Sequence, residues 1–473
     1  MQRKILLSSL LVVVVAAAGV AVRARKHPSA WLWLAILSVF SAGTAARPAA
    51  AAESAGVTVR FSEYEGPATV EIRPVRRHEV QVVVDPKGET NPLALQVELR
   101  ESGPDAWPAL DAEVLGPTGQ PVPARHVGIQ WNRFAMVVPA AGGTFTIRAV
   151  EPGGSRPGVF PEAQRRARDE ATGVSAAVCN WPDGRRAALS IRFDDSHRTH
   201  LSTAIPILRE YGFRGTFMVN PGGWQRAEWE AVARQGDQEF ANHSLRHRGS
   251  QNEEDTERDI GEAAKVIQAL FPNRSKLVAL NLGGGTQWVT SKTLRYYLDK
   301  YQLFDASSGS LGMDDVYGNR VAAIREAINR HLASGGWCRV HYHSIGVKGT
   351  GVTEENFRAA LDVVKEHRNV LWIAGMADIY KYMTECRGAR LTVESKGPSR
   401  VQIALSCSTD PELYDQPLAL EIQLPQSWPA ERVVVKDAQA RVLTARSEQT
   451  EGETRLHFEV APRSASFTVE KKD

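Results

Sequence analysis

The feature that most constrains this chain is a change of period at its centre. From Ala187 to about Tyr382, short apolar runs of strand length alternate with stretches of helical period. AALSIRF (187–193) precedes STAIPILREYG, and GTFMV (215–219) precedes GWQRAEWEAVARQG; QEFAN, KLVALN, QLFDA, WCRVHYH and VLWIA are each followed by a helical stretch in turn. Parallel neighbours need long crossovers, usually helices, so seven such pairs point to an α/β fold with a parallel sheet. Its simplest form is a closed or nearly closed (β/α) barrel of about seven strands, placed at residues 175–386.

In such a barrel, chemistry sits where strands end and loops begin. The first strand ends in Asp194 and Asp195, the third runs into NHSLRH (242–247), and the sixth ends in HYHS (341–344). His243 and His247 are four residues apart, a spacing that on a helical turn sets both rings on one face. One carboxylate plus two imidazoles suits zinc or another borderline divalent ion, and Asp195, His243 and His247 supply three ligands with a position left for water. A water activated there needs a base, and an amide or ester needs an acid for its departing atom. Asp194 and His343 remain for those two roles.

Both flanks read differently. Residues 57–155 and 388–473 are short alternating segments (VTVRF, HEVQVVVD and TFTIRAV; ARLTVES, RVQIALS and LALEIQL) separated by Gly, Pro and Asn, which predicts a β-sandwich module on each side. Residues 1–52 carry a basic start, two apolar runs and an Ala-rich exit, the pattern of a signal peptide or membrane anchor. The reading taken is export, with cleavage near Ala46–Ala52 and the membrane touched only through that segment. A net charge of +3 over 473 residues gives no basic excess of the kind nucleic acid attracts. The four cysteines lack C-x-x-C spacing, which argues against a cysteine zinc site; Cys179 and Cys386 flank the barrel and could form a clip if its ends meet.

These residues resemble the polysaccharide deacetylase family, the NodB-homology domain of carbohydrate esterase family four, over about residues 185–383. SIRFDD resembles its first motif, NHSLRH its H-[ST]-x-x-H motif, and HYHSIG its late L-x-H motif. The resemblance implies metal-dependent removal of acetyl groups, N-acetyl before O-acetyl, from a glycan on a distorted (β/α) barrel. It implies Asp195, His243 and His247 as metal ligands for Zn2+, with Co2+, Ni2+ or Fe2+ as alternatives. It implies Asp194 as general base and His343 as general acid.

The chain also departs from that pattern. Ser196-His197 follows the Asp pair where the family usually has Gly, and His197 and His200 read as solvated loop residues. The third motif survives only as LNLGGGTQW (280–288), with no Arg to orient the base; Arg192 or Arg246 is the substitute to look for. His341 stands where the late motif has Leu. Trp224 and Trp288 lie on predicted rim loops, where an indole can stack on a sugar. The leading expectation is an exported metal-dependent carbohydrate deacetylase, with an acetylated glycan as partner. The alternatives are a glycan-binding protein on a deacetylase-like barrel and a hydrolase of a non-sugar amide.

Overall fold

The structure is a computed structural model of the chain and describes residues 51–62, 64, 66–150, 164–272, 274–346, 351–450 and 453–472. The signal or anchor segment lies outside these residues, except for Ala51 and Ala52, which open the first strand. The chain forms two compact units.

The first unit is a β-sandwich. One antiparallel sheet contains Ala51–Ser54, Val57–Phe61, Leu93–Leu99 and Gln130–Val138; the other contains Thr69–Arg76, Glu79–Asp85, Gly143–Ala149 and Ala112–Leu115. Along Glu79–Asp85 the valines Val80, Val82 and Val84 are buried while their neighbours are not, the period of two that a half-buried strand requires. They meet Val57, Leu95, Phe134 and Ile147 in one core, and burying each such side chain contributes roughly 1.5–3 kcal/mol.

The second unit holds the barrel. Its parallel strands are β1 (Ala187–Phe193), β2 (Gly215–Val219), β3 (Glu239–Asn242), β4 (Val278–Leu280), β5 (Leu303–Asp305), β6 (Leu311–Gly312), β7 (Trp337–Tyr342) and β8 (Leu371–Ile373). They pair in the order β5-β4-β3-β2-β1-β7-β6, with β8 beside the start of β1. No ladder joins β5 to β6 among the described residues, which makes the barrel a distorted, incompletely closed one. All seven predicted strands are present, and the two-residue β6 is additional.

The connecting helices are α1 (Ile205–Tyr211), α2 (Arg226–Gln235), α3 (Glu253–Leu270), α4 (Leu294–Tyr301), α5 (Arg320–Ser334), α6 (Glu354–Glu366) and α7 (Met376–Gly388). The start of α3 is set by Asn252, whose side chain accepts the Asp255 N–H, and its Ile260, Ala263, Ala264 and Ile267 make the stripe that packs inward. β1 is buried at all seven positions, as a strand covered on both faces must be.

The C-terminal module is also a sandwich, but the expected boundary needs correction. Arg166–Arg168 and Ser175–Val178, which precede the barrel in sequence, form one edge of its five-stranded sheet, Ser175–Val178 pairing with Leu418–Leu424. Residues 175–178 therefore belong to the sandwich and not to the barrel. One core runs from the barrel base (Ala188, Ala374, Ile379, Tyr382) into the sandwich (Leu391, Ile403, Leu420, Phe458). Cys179 and Cys386 do meet, with the Cys386 thiol 3.6 Å from the Cys179 carbonyl oxygen, and both are free thiols.

Candidate active site

The residues collected from the sequence converge at the C-terminal ends of β1, β3 and β7. Asp194 follows β1 directly and is only 4% exposed. Its Oδ2 accepts hydrogen bonds from Arg192 at 2.9 Å and from Asn281 Nδ2 at 3.2 Å. Burial alone would push this carboxyl up, but Arg192, followed by His243, His341 and His343, holds it below the ordinary aspartate range. Oδ1 is buried and has no hydrogen-bond partner among the described residues. Of the two candidate substitutes for the missing arginine, Arg192 is the one that reaches Asp194, anchored by a second bond to the Ala306 carbonyl at 3.0 Å. Arg246 is exposed.

Asp195, His243 and His247 form one cluster whose potential ligand atoms lie within 4.8 Å of one another. Asp195 Oδ1 is 3.1 Å from His243 Nε2 and 3.7 Å from His247 Nε2. His243 is buried, and its Nδ1 donates to the Asn281 carbonyl at 2.7 Å. That bond fixes the tautomer and leaves the Nε2 lone pair facing the cluster, as a ligating imidazole requires. The route to this geometry is not the expected helical turn. Residues 243–248 are irregular, with Ser244 and His247 at φ 64° and 51°. The segment is held by Asn220 Nδ2 donating to the carbonyls of His243 and Ser244, and by Ser244 Oγ accepting the His247 N–H. Gly283 lets His247 in: a Cβ there would lie 2.1 Å from His247 Nε2. Borderline imidazole nitrogens plus a carboxylate, one nitrogen already oriented and a glycine cradle behind the other, fit a divalent cation.

His343 follows β7. Its Nδ1 donates to Asp314 Oδ2 at 2.5 Å and its backbone N–H to Asp314 Oδ1 at 3.1 Å. The bond to the buried Asp314 outweighs partial burial of the ring and raises the His343 pKa above the ordinary imidazole value. On the same face of β7, burial pushes His341 down to about 4.

Two expectations fail, that for Trp288 as a stacking residue and that for His200 as a solvated one. Trp288 is completely buried, its indole N–H donating to Thr286 Oγ1 at 2.9 Å, so it offers no face to a sugar. Trp224 is half-buried and stacks on Trp229, with centroids 6.1 Å apart and planes at 15°. His200 is not solvated either: it is buried among Phe193, Phe217 and Trp229, with Nε2 bonded to the His343 carbonyl. His197 remains half-exposed.

Three residues gave too little signal in the sequence to be found there. Asp314 sits in MDDVYG, a second Asp-Asp pair after a strand too short to notice. Asn281 stands in the fragment where an arginine was sought; besides bonding Asp194 and His243, its Oδ1 accepts the Gly283 N–H at 3.0 Å. Asn220 follows β2 and gave no signal beyond its polarity.

A parallel barrel with a buried carboxylate, a carboxylate-paired imidazole and an Asp-His-His cluster on one rim has the make-up of a hydrolase. Residues 182–302 match the sequence profile described as polysaccharide deacetylase, so this part of the barrel is similar to that family. The match ends before Asp314 and His343. The chain is also 20% identical over 290 residues to a gellan lyase from a Bacillus species; the stretch takes 54% of this chain and spans only 12% of the lyase. A family 4 carbohydrate esterase from Streptomyces lividans in complex with acetate is similar at 19% identity, over 41% of this chain and 95% of that one, with a TM-score of 0.32. A family 4 acetyl xylan esterase from Clostridium thermocellum in complex with a cobalt ion is similar at 19% identity, over 41% and 90%, with a TM-score of 0.31.

Proposed function

We propose that this protein is an exported, metal-dependent deacetylase that hydrolyses acetyl groups, N-acetyl in preference to O-acetyl, on a polysaccharide or oligosaccharide. The observation that carries the reading is the pairing, on one rim, of a buried carboxylate, Asp194, whose Oδ1 has no hydrogen-bond partner among the described residues, with a histidine, His343, held by its own carboxylate, Asp314. Asp195, His243 and His247 would hold the cation, Zn2+ being the best match to the donors. When bound, such an ion supplies Lewis-acid polarisation of the acetyl carbonyl.

The remaining work falls to this chain's own groups. Asp194 takes a proton from the attacking water at Oδ1, while Arg192 and Asn281 hold Oδ2 and keep the carboxylate ionised and in place. Asp314 fixes the His343 ring through Nδ1, so the Nε2 proton goes to the departing nitrogen or oxygen. Acetate and a free amine or hydroxyl are the products.

The test is acetate release from chitin oligomers, peptidoglycan, poly-N-acetylglucosamine and acetylated xylan by the metal-loaded protein, against a chelated sample. Release that requires metal from at least one of these is expected. A full metal site with no release from any of them, but turnover of a small non-sugar amide, would replace the carbohydrate substrate; absence of both metal and turnover would leave a binding protein.

A further inference from the structure

His197 occupies the side of the Asp195 carboxylate that the other two histidines leave open. Oδ1 of Asp195 faces His243 and His247, whereas Oδ2 faces His197 Nε2 at 3.7 Å. His197 is not among the residues whose ligand atoms cluster within 4.8 Å, so its nitrogen stands apart from the two imidazole donors across the carboxylate. At 3.7 Å the contact is not yet a hydrogen bond, and a small rotation of an exposed ring would make it one.

The backbone brings this ring back over Asp195 at a cost. Asp195 and Ser196 have φ of 77° and 51°, left-handed values that favour glycine over residues with a side chain. Ser196 Oγ accepts the Asn220 N–H at 2.7 Å and holds the turn closed. A glycine would relieve a turn that was only a turn. The ring itself rests edge-on against His200, centroids 5.6 Å apart, and His200 is buried among aromatic rings, so His197 has a rigid seat while its side chain stays 40% exposed.

We propose that His197 is a positioning residue for the cation site: with the ion held by Asp195, His243 and His247, His197 donates its Nε2 proton to Asp195 Oδ2, leaving Oδ1 turned toward the ion. A ligating carboxylate is commonly hydrogen-bonded in turn, and removing such a partner lowers metal affinity about 10–100-fold. This inference rests on the metal site proposed above.

The full chain is stripped with a chelator and titrated with Zn2+ against a competing chromophoric chelator, and the visible spectrum of the Co2+ form is recorded at saturation. Wild type, His197→Ala and His197→Gln are compared, with His197→Phe as a variant that keeps a ring but cannot donate. Ala and Phe are expected to weaken Zn2+ binding about 10–100-fold. Gln, whose amide can still donate to Oδ2, is expected to recover most of that loss, and the saturated Co2+ spectrum to keep its bands in every variant. Equal affinity in wild type, Ala and Phe overturns the positioning role and leaves the metal site standing. A Co2+ spectrum changed in all three variants overturns it by making His197 a ligand. Failure of wild type to bind Zn2+ at all overturns both.

Discussion

The two sides of the active rim are held in place by different means. On the cluster side four non-glycine residues, Asp195, Ser196, Ser244 and His247, take left-handed backbone values, and side chains of Ser196, Asn220, Asn242 and Ser244 bind the backbone to keep them there. On the acid side His343 simply continues from β7, and one carboxylate, Asp314, sets its ring. Three donor atoms from two loops must meet at fixed mutual distances, which regular backbone does not supply; one proton donor needs one orienting partner. The cluster side should therefore be fragile toward backbone changes, and the acid side toward one side-chain change.

The largest effect falls on the residue between the two sides. Asp194→Asn should lower acetate release by about 10²–10⁴-fold, with Zn2+ still bound at one equivalent, as measured by release assays and metal analysis of the same sample. Loss of the metal in this variant would move Asp194 to the cluster side and remove the distinction.

Asp314→Asn comes next and tests the acid side alone. The bond to Asp314, against burial, raises the His343 pKa. In its proposed role as general acid His343 must be protonated, so activity is expected to fall as pH rises through that raised value. Without the carboxylate the pKa falls and the alkaline limb of the pH–rate profile moves to lower pH; for a limb displaced by about one pH unit, the rate at a fixed pH well above it drops about tenfold. Zn2+ affinity should not move; an unmoved limb with weakened metal binding would show the two sides to be mechanically one.

Gly283→Ala makes the converse test on the backbone of the cluster side. The new Cβ would lie 2.1 Å from His247 Nε2 at a φ of +76°, so His247 must give way and the loop carries about 1 kcal/mol or more of strain. Zn2+ affinity should fall by about tenfold or more, of the order seen when a ligand's support is lost, while the alkaline limb set by His343 stays where it is.

What the sequence revealed follows the same division. Strands such as β1 were readable because a strand buried on both faces leaves a short, mostly apolar run, and Asp194, Asp195, His243, His247 and His343 because they fall at or within a few residues of the ends of strand-length runs. Asp314 was not readable: its partner is 29 residues away, and a carboxylate in a loop looks like any solvated turn until the fold brings an imidazole to it. Arg192 was one of two candidates, and only the inward face of β1 decides for it over the exposed Arg246. The strand Ser175–Val178 was misplaced because what defines it is a ladder to Leu418–Leu424, more than two hundred residues on, which no local period announces.

Trp288 carries the smallest expected effect and separates support of the cluster from contact with substrate. Its indole is wholly enclosed and bonded to Thr286 Oγ1, which in turn lies 2.6 Å from the Leu282 carbonyl and 2.9 Å from that of Gly283, the residue against His247. Trp288→Phe keeps most of the packing and removes that hydrogen bond, a change of about 0.5–1.5 kcal/mol, which should appear as a melting temperature lower by a few degrees and a KM for acetylated oligosaccharide equal to wild type. A raised KM with unchanged melting temperature would mean that the indole meets the sugar after all. The burial argues otherwise: a ring with no accessible face has nothing to stack with, so its influence can reach the substrate only through the glycine loop and His247, on the cluster side of the rim.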